Sequence, residues 1–120
     1  MQYDITPVPK PRMTQRDKWQ KRPAVLRYRE FCDQVRASGL GVADHGCQIT
    51  FFLPMPKSWS QKKRDAMDGQ PHQQKPDLDN LLKALFDAVH SEDCGIWNVG
   101  SVSKIWSKTG AIRLQTNNKT

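Results

Sequence analysis

Lys75-Pro76-Asp77-Leu78-Asp79-Asn80-Leu81-Leu82-Lys83-Ala84-Leu85-Phe86-Asp87-Ala88-Val89 is the stretch on which the reading of this chain turns. Leu78, Leu81, Leu82, Leu85, Phe86 and Val89 recur at the three- and four-residue steps that line one face of an α-helix. The pattern predicts a helix that Asp77 or Asp79 caps and that frays near His90. The same two acids are hard oxygen ligands of the kind magnesium accepts beside waters and a phosphate. Residues two apart do not share a helix face, but in an extended lead-in both side chains lie on one side, and a shared cation is allowed there. Asp79, Lys83 and Asp87 follow one another at i,i+4, so Lys83 would project beside the acids, able to hold a phosphate oxygen or steady charge at phosphorus. A plainer reading stands next to this one: acids favoured by the positive end of the helix, with Lys83 in an i,i+4 pair. Spacing alone leaves both open.

Upstream, Lys57 to Pro76 carries Lys57, Lys62, Lys63, Arg64, His72 and Lys75 with further prolines. Ser60 can cap a short helix over 61–67, but no apolar stripe would hold a longer one. The segment therefore reads as a weakly packed basic connection bordering the acids, long enough to signal a function. Before it, Cys47, Ile49, Phe51 and Leu53 alternate as a strand with a buried face, stopped by Pro54 and Pro56. Phe52 breaks the polar side. Ala24, Tyr28, Phe31, Cys32 and Val35 form the stripe of an earlier helix, begun near Pro23 and ended at Ser38-Gly39.

At the N-terminal end, residues 2–8 alternate around Tyr3, Ile5 and Val8 as a first strand. Pro7 to Pro23 reads as an extended basic loop with Lys10, Arg12, Arg16, Lys18, Lys21 and Arg22, and with Trp19 either stacking on a base or pinning the loop. Downstream, alternation over 96–106 gives a strand, Lys108-Thr109-Gly110 a hairpin turn, and 111–115 a last strand. Together these elements predict one α+β domain over residues 1–120: a small mixed β-sheet with two main helices packed on one side.

Composition narrows the function. The 120 residues hold 19 Lys plus Arg against 12 Asp plus Glu, a net charge of +7, which suits a polyanionic partner without proving one. Hydrophobic residues make up 37% of the chain, so extra burial in a homodimer is expected. Cys32, Cys47 and Cys94 are odd in number, without a C-x-x-C pair, which argues against a disulfide scaffold or zinc site and fits a reducing cytoplasm. His45, His72 and His90 have no zinc spacing, no glycine-rich phosphate cradle exists, and neither a signal peptide nor a membrane-spanning run is visible.

Asp77 to Ala88 resembles the signature of the RusA family of Holliday junction resolvases, common in phages and prophages. The layout agrees across nearly the whole chain, from Pro7-Val8-Pro9-Lys10-Pro11-Arg12 through the helix around Tyr28 and the basic loop. The resemblance implies a homodimer that cuts four-way DNA junctions by paired incisions with magnesium or manganese, in the nucleoid of a bacterial or phage-infected cell. Matched residue by residue, it implies Asp77 and Asp79 as the first two acids and Lys83 as the lysine. A further family aspartate falls on Asn98, after Gly95-Ile96-Trp97. An amide brings no negative charge and takes no proton as a carboxylate does, so a weakened or inactive nuclease is expected. Lys10, Arg12, Arg16, Lys57, Lys62, Lys63, Arg64, Lys75 and Asn80 are the expected DNA contacts. Two alternatives stay open: a non-catalytic DNA-binding accessory protein, and a nuclease for other branched DNA.

Overall fold

In chain order the elements are β1 (Gln2–Tyr3), α1 (Pro23–Ser38), β2 (Cys47–Pro54), α2 (Gln61–Met67), α3 (Leu78–Val89), β3 (Ser101–Ser107) and β4 (Ala111–Thr116). The structure, a computed structural model, describes residues 2–11, 23–39, 47–89 and 100–116. The leucine-spaced helix forms as expected. α3 buries Leu81, Ala84, Leu85, Phe86 and Ala88, so two alanines widen the stripe that the leucines announce. α1 buries Val25, Tyr28, Phe31, Cys32 and Val35; Val25 takes the place expected of Ala24. Gly39, at φ +72°, closes α1 in the left-handed conformation that favours glycine.

The sheet has four strands in the order β1-β4-β2-β3. β2 is parallel to β3, from Gln48↔Ser101 to Pro54↔Ser107, and antiparallel to β4, from Cys47↔Thr116 to Phe52↔Ala111. A parallel pair needs a long crossover, which the α2 and α3 segment supplies. Ile49, Phe51 and Leu53 share one face with Ile112 and Leu114, and α1 and α3 pack there through Tyr28, Phe31, Val35, Leu81 and Leu85. On the opposite face the Arg113 guanidinium lies 4.7 Å from the centre of the Phe52 ring. The α+β class and the one-sided helix layer are as the sequence predicts. Among the described residues, no helix is long and apolar enough to cross a membrane.

Three local expectations need correction. Lys108-Thr109-Gly110 does not close a hairpin between neighbours, because β2 lies between β3 and β4 and the three residues step across its end. Two-residue alternation fixes which face a residue occupies, not which strand lies beside it. Gly110 is demanded by the close approach of the N-terminal segment, since an added Cβ would stand 2.7 Å from the Thr6 Cα. The first strand is also shorter than 2–8. Only Gln2 and Tyr3 pair with β4, after which the Ile5 amide turns back to the Tyr3 carbonyl at 2.8 Å, and Pro7 has no amide to donate. Ile5 and Val8 still reach the core.

The third correction concerns the basic connection. α2 buries no residue, and Ser60 caps it by accepting the Lys63 amide at 3.2 Å. The residues that follow it, however, are held to β3 by main-chain hydrogen bonds. Gly69 N donates to Trp106 O at 2.9 Å, Trp106 N to Gln70 O at 2.9 Å, and His72 N to Lys104 O at 3.0 Å. Pro71 thus bridges Ile105 in antiparallel fashion. The outer edge of β3 would otherwise present unpaired amides and carbonyls, and the connection satisfies them. Trp106 supplies the apolar surface that the connection lacks, with the Trp59 ring 4.7 Å and the His72 ring 4.0 Å from its own.

Candidate active site

Asp77 occupies the N-cap position of α3: Leu78 is the first helical residue, and the Asp77 carbonyl accepts the Leu81 amide at 3.2 Å. Asp79 lies within the first turn. Both acids are exposed, as is Lys83 one turn later, while Asn80 is half-buried. The helix therefore begins between the two acids instead of after them, so the expected extended lead-in carrying both is replaced by a cap and a first-turn position. That arrangement also places both carboxylates at the positive end of the helix. Among the described residues, neither is held in an ion pair, and no group of three His, Cys, Asp or Glu residues could hold a metal ion. Asn98 lies outside the described residues, and with it the expected convergence on Asp77 and Asp79.

A cleft of about 530 Å³ opens beside Asp77, lined by Pro9, Lys10, Lys75, Pro76, Asp77 and Asn80. The proline-rich N-terminal segment forms one wall because the Lys10 amide donates to the Asn80 carbonyl at 3.4 Å. The Lys10 ammonium pairs with Asp87, and Asp87 also accepts the Tyr28 hydroxyl at 3.3 Å. Burial first, then Cys32 and Asp87, push the Tyr28 hydroxyl's pKa up, so it stays a donor. The sequence placed Asp87 on the face of Asp79 and Lys83. Its pairing with a lysine far along the chain had no sequence signal.

The expected DNA contacts divide in two. Lys10 and Lys75 line the cleft, whereas Lys57, Lys62 and Lys63 are exposed and Arg64 half-buried on or near α2. The Lys63 ammonium lies 4.3 Å from the centre of the Trp59 ring, a cation–π contact. Arg12 and Arg16 lie outside the described residues.

Behind the cleft, two residues not singled out from sequence hold the approach to Asp77. The Lys104 side chain points to the same face as its partner Phe51 and donates to the Gln74 carbonyl at 2.6 Å and the Pro76 carbonyl at 2.8 Å. His72 is buried at 6% exposure, and its Nδ1 accepts the Gln74 amide at 3.4 Å. Burial, then the Lys104 charge, lower its pKa, which favours the neutral ring.

Asp77 at the cleft edge and Asp79 in the first turn of α3 are exposed oxygen donors, unpaired among the described residues, with the chemistry that a hard divalent cation accepts. Neither the curated proteins nor the solved structures yielded a match to the chain. The model of the family described as "Endodeoxyribonuclease RusA" matches residues 4–115, nearly the whole chain and all of the site described above. The chain belongs to the RusA family, divalent-metal-dependent endodeoxyribonucleases that act on branched DNA.

Proposed function

We propose that the chain resolves four-way DNA junctions from a magnesium site at the start of α3, made by Asp77, Asp79 and the side-chain oxygen of Asn98. The observation that carries this reading is an exposed Asp77 at the edge of a cleft with Lys10 and Lys75 in its walls, with Asp79, also exposed, in the first turn of the helix that starts there. Magnesium, or manganese in its place, supplies there the positive charge that activates water and stabilises pentacovalent phosphorus. The acids fix its position. Lys75 draws one phosphodiester into the cleft, Lys10 lines it while paired with Asp87, and Lys83 at the rim neutralises charge as the bond breaks. Lys57, Lys62, Lys63 and Arg64, together with Arg12 and Arg16, hold flanking phosphates.

Asn98 lowers the negative charge of the set, so the copy in hand binds its cation weakly and turns over slowly. The working unit is a homodimer of one domain per chain, because two sites related by a two-fold axis match the two-fold symmetry of a junction and permit paired incisions. Action on DNA places it at the nucleoid of a bacterial or phage-infected cell.

Incubating the chain and its Asn98→Asp variant with an end-labelled four-way junction, with and without magnesium, tests this reading. Symmetric nicking that requires the metal and rises with the aspartate is expected. Binding without cleavage in both proteins favours a DNA-binding accessory. Faster cutting of flaps than of junctions in a panel of branched DNAs favours another branched substrate.

A further inference from the structure

We propose that Lys104 is a positioning residue for the metal site: it holds the main chain of Gln74–Pro76 so that Asp77 is set before a cation or DNA arrives. This rests on the reading of Asp77 as a ligand. A lysine in a basic nuclease is ordinarily assigned to phosphate, but the ammonium of Lys104 is already committed. It donates to the Gln74 and Pro76 carbonyls at 2.6 and 2.8 Å. The Pro76 carbonyl belongs to the peptide that leads directly into Asp77. The anchor is rigid, because Lys104 lies in β3, paired with Phe51 of β2, which is fully buried. The Lys104 carbonyl itself accepts the His72 amide at 3.0 Å. One strand residue thus grips the connection at His72, Gln74 and Pro76, along the five residues before Asp77. Pro76 has no amide with which the turn could hold itself, which leaves its carbonyls as the available handle.

The proposal predicts a sign. Lys104 carries a positive charge near the cation's place, so its Coulomb effect alone opposes metal binding, and removing it would tighten the site. Positioning acts in the opposite direction, since a loosened Asp77 holds the ion less well. The substitution Lys104→Met keeps the stem and removes the donors; Lys104→Arg keeps charge and donors.

The experiment is manganese binding to the DNA-free protein, followed by electron paramagnetic resonance, in these two variants and Asp77→Asn. Lys104→Met is expected to weaken binding about tenfold, the scale seen when an outer support of a ligand is lost, with Lys104→Arg near the parent. In junction cleavage, Lys104→Met should raise the magnesium concentration needed for half-maximal rate while leaving the rate at saturation close to the parent's. Should near-ultraviolet circular dichroism show that the methionine variant does not fold, Lys104→Leu, which also removes the donors, is read by the same criterion against arginine. Unchanged or tighter manganese binding with the donors removed overturns the proposal while Asp77→Asn still abolishes binding. If Asp77→Asn leaves manganese binding intact, the ligand reading itself fails and the positioning role falls with it.

Discussion

Helix α3 buries five of its twelve residues, whereas α2, ten residues before it (68–77), buries none of its seven. Both belong to the crossover between parallel strands β2 and β3, and Asp77 stands at the joint between them. α3 is placed by its side chains: a continuous apolar stripe has one stable home, against α1 and the covered face of the sheet. The connection is placed by its main chain, through the ladder from Gly69 to His72 along β3 and the two carbonyls held by Lys104. The comparison separates what stabilises the protein from what shapes its site. Burial in α3 carries the fold, and polar anchoring on β3 sets the residues from which the first acid projects.

The largest expected difference is in stability. Leu85→Ala removes a side chain with no exposure from the core and should cost about 2–5 kcal/mol in denaturant unfolding. Lys62→Ala on α2 should stay within about 0.5 kcal/mol of the parent. Equal losses at the two sites would erase the distinction. In DNA binding the ranking inverts. Replacing Lys62, Lys63 and Arg64 together by alanine should weaken junction binding and lower its salt slope by up to about 3, near one unit per lost phosphate contact. An unchanged slope would transfer that role to the basic residues near Arg12.

The smallest effect sharpens the same contrast through pH. Burial lowers the His72 pKa in the folded state below its ordinary value of 6.5. Between the two values the unfolded chain binds a proton that the native chain does not, so acidification favours unfolding. The His72 contribution is fully present above about pH 6.5 and is lost as pH falls toward the lowered native value. Unfolding midpoints measured from pH 8 to 5 should fall less steeply in His72→Gln than in the parent. A parallel decline in both would show that the ring titrates normally.

The sequence conveyed the parts that side-chain pattern controls. The 3-4 spacing of leucines located α3, the alternation of Ile49, Phe51 and Leu53 located β2, and Ser60 marked the start of α2. Strand order was not legible, because a three-residue link at 108–110 looks the same whether it turns between neighbours or steps over the end of a third strand. Nor was the ladder on β3, since main-chain pairing leaves no composition behind and Pro71 argues against a strand. At the site, Asp77, Asp79 and Lys83 stood out because chemistry, charge and helix start coincide there. Lys10–Asp87, His72 and Lys104 did not, because each acquires its role from a residue distant in sequence or from burial that only the folded chain creates.

On the proposed reading, the acids at the start of α3 carry the cation on which strand cleavage depends. Single-turnover cleavage of a labelled four-way junction by Asp77→Asn, measured in the Asn98→Asp background beside a metal-free binding titration, tests it most directly. Cleavage should fall by roughly two orders of magnitude or more, the scale of losing one group that stabilises transition-state charge, while junction binding is retained. Cleavage at the parent rate by a folded Asp77→Asn protein would rule out Asp77 as a ligand of the cation that cleavage requires.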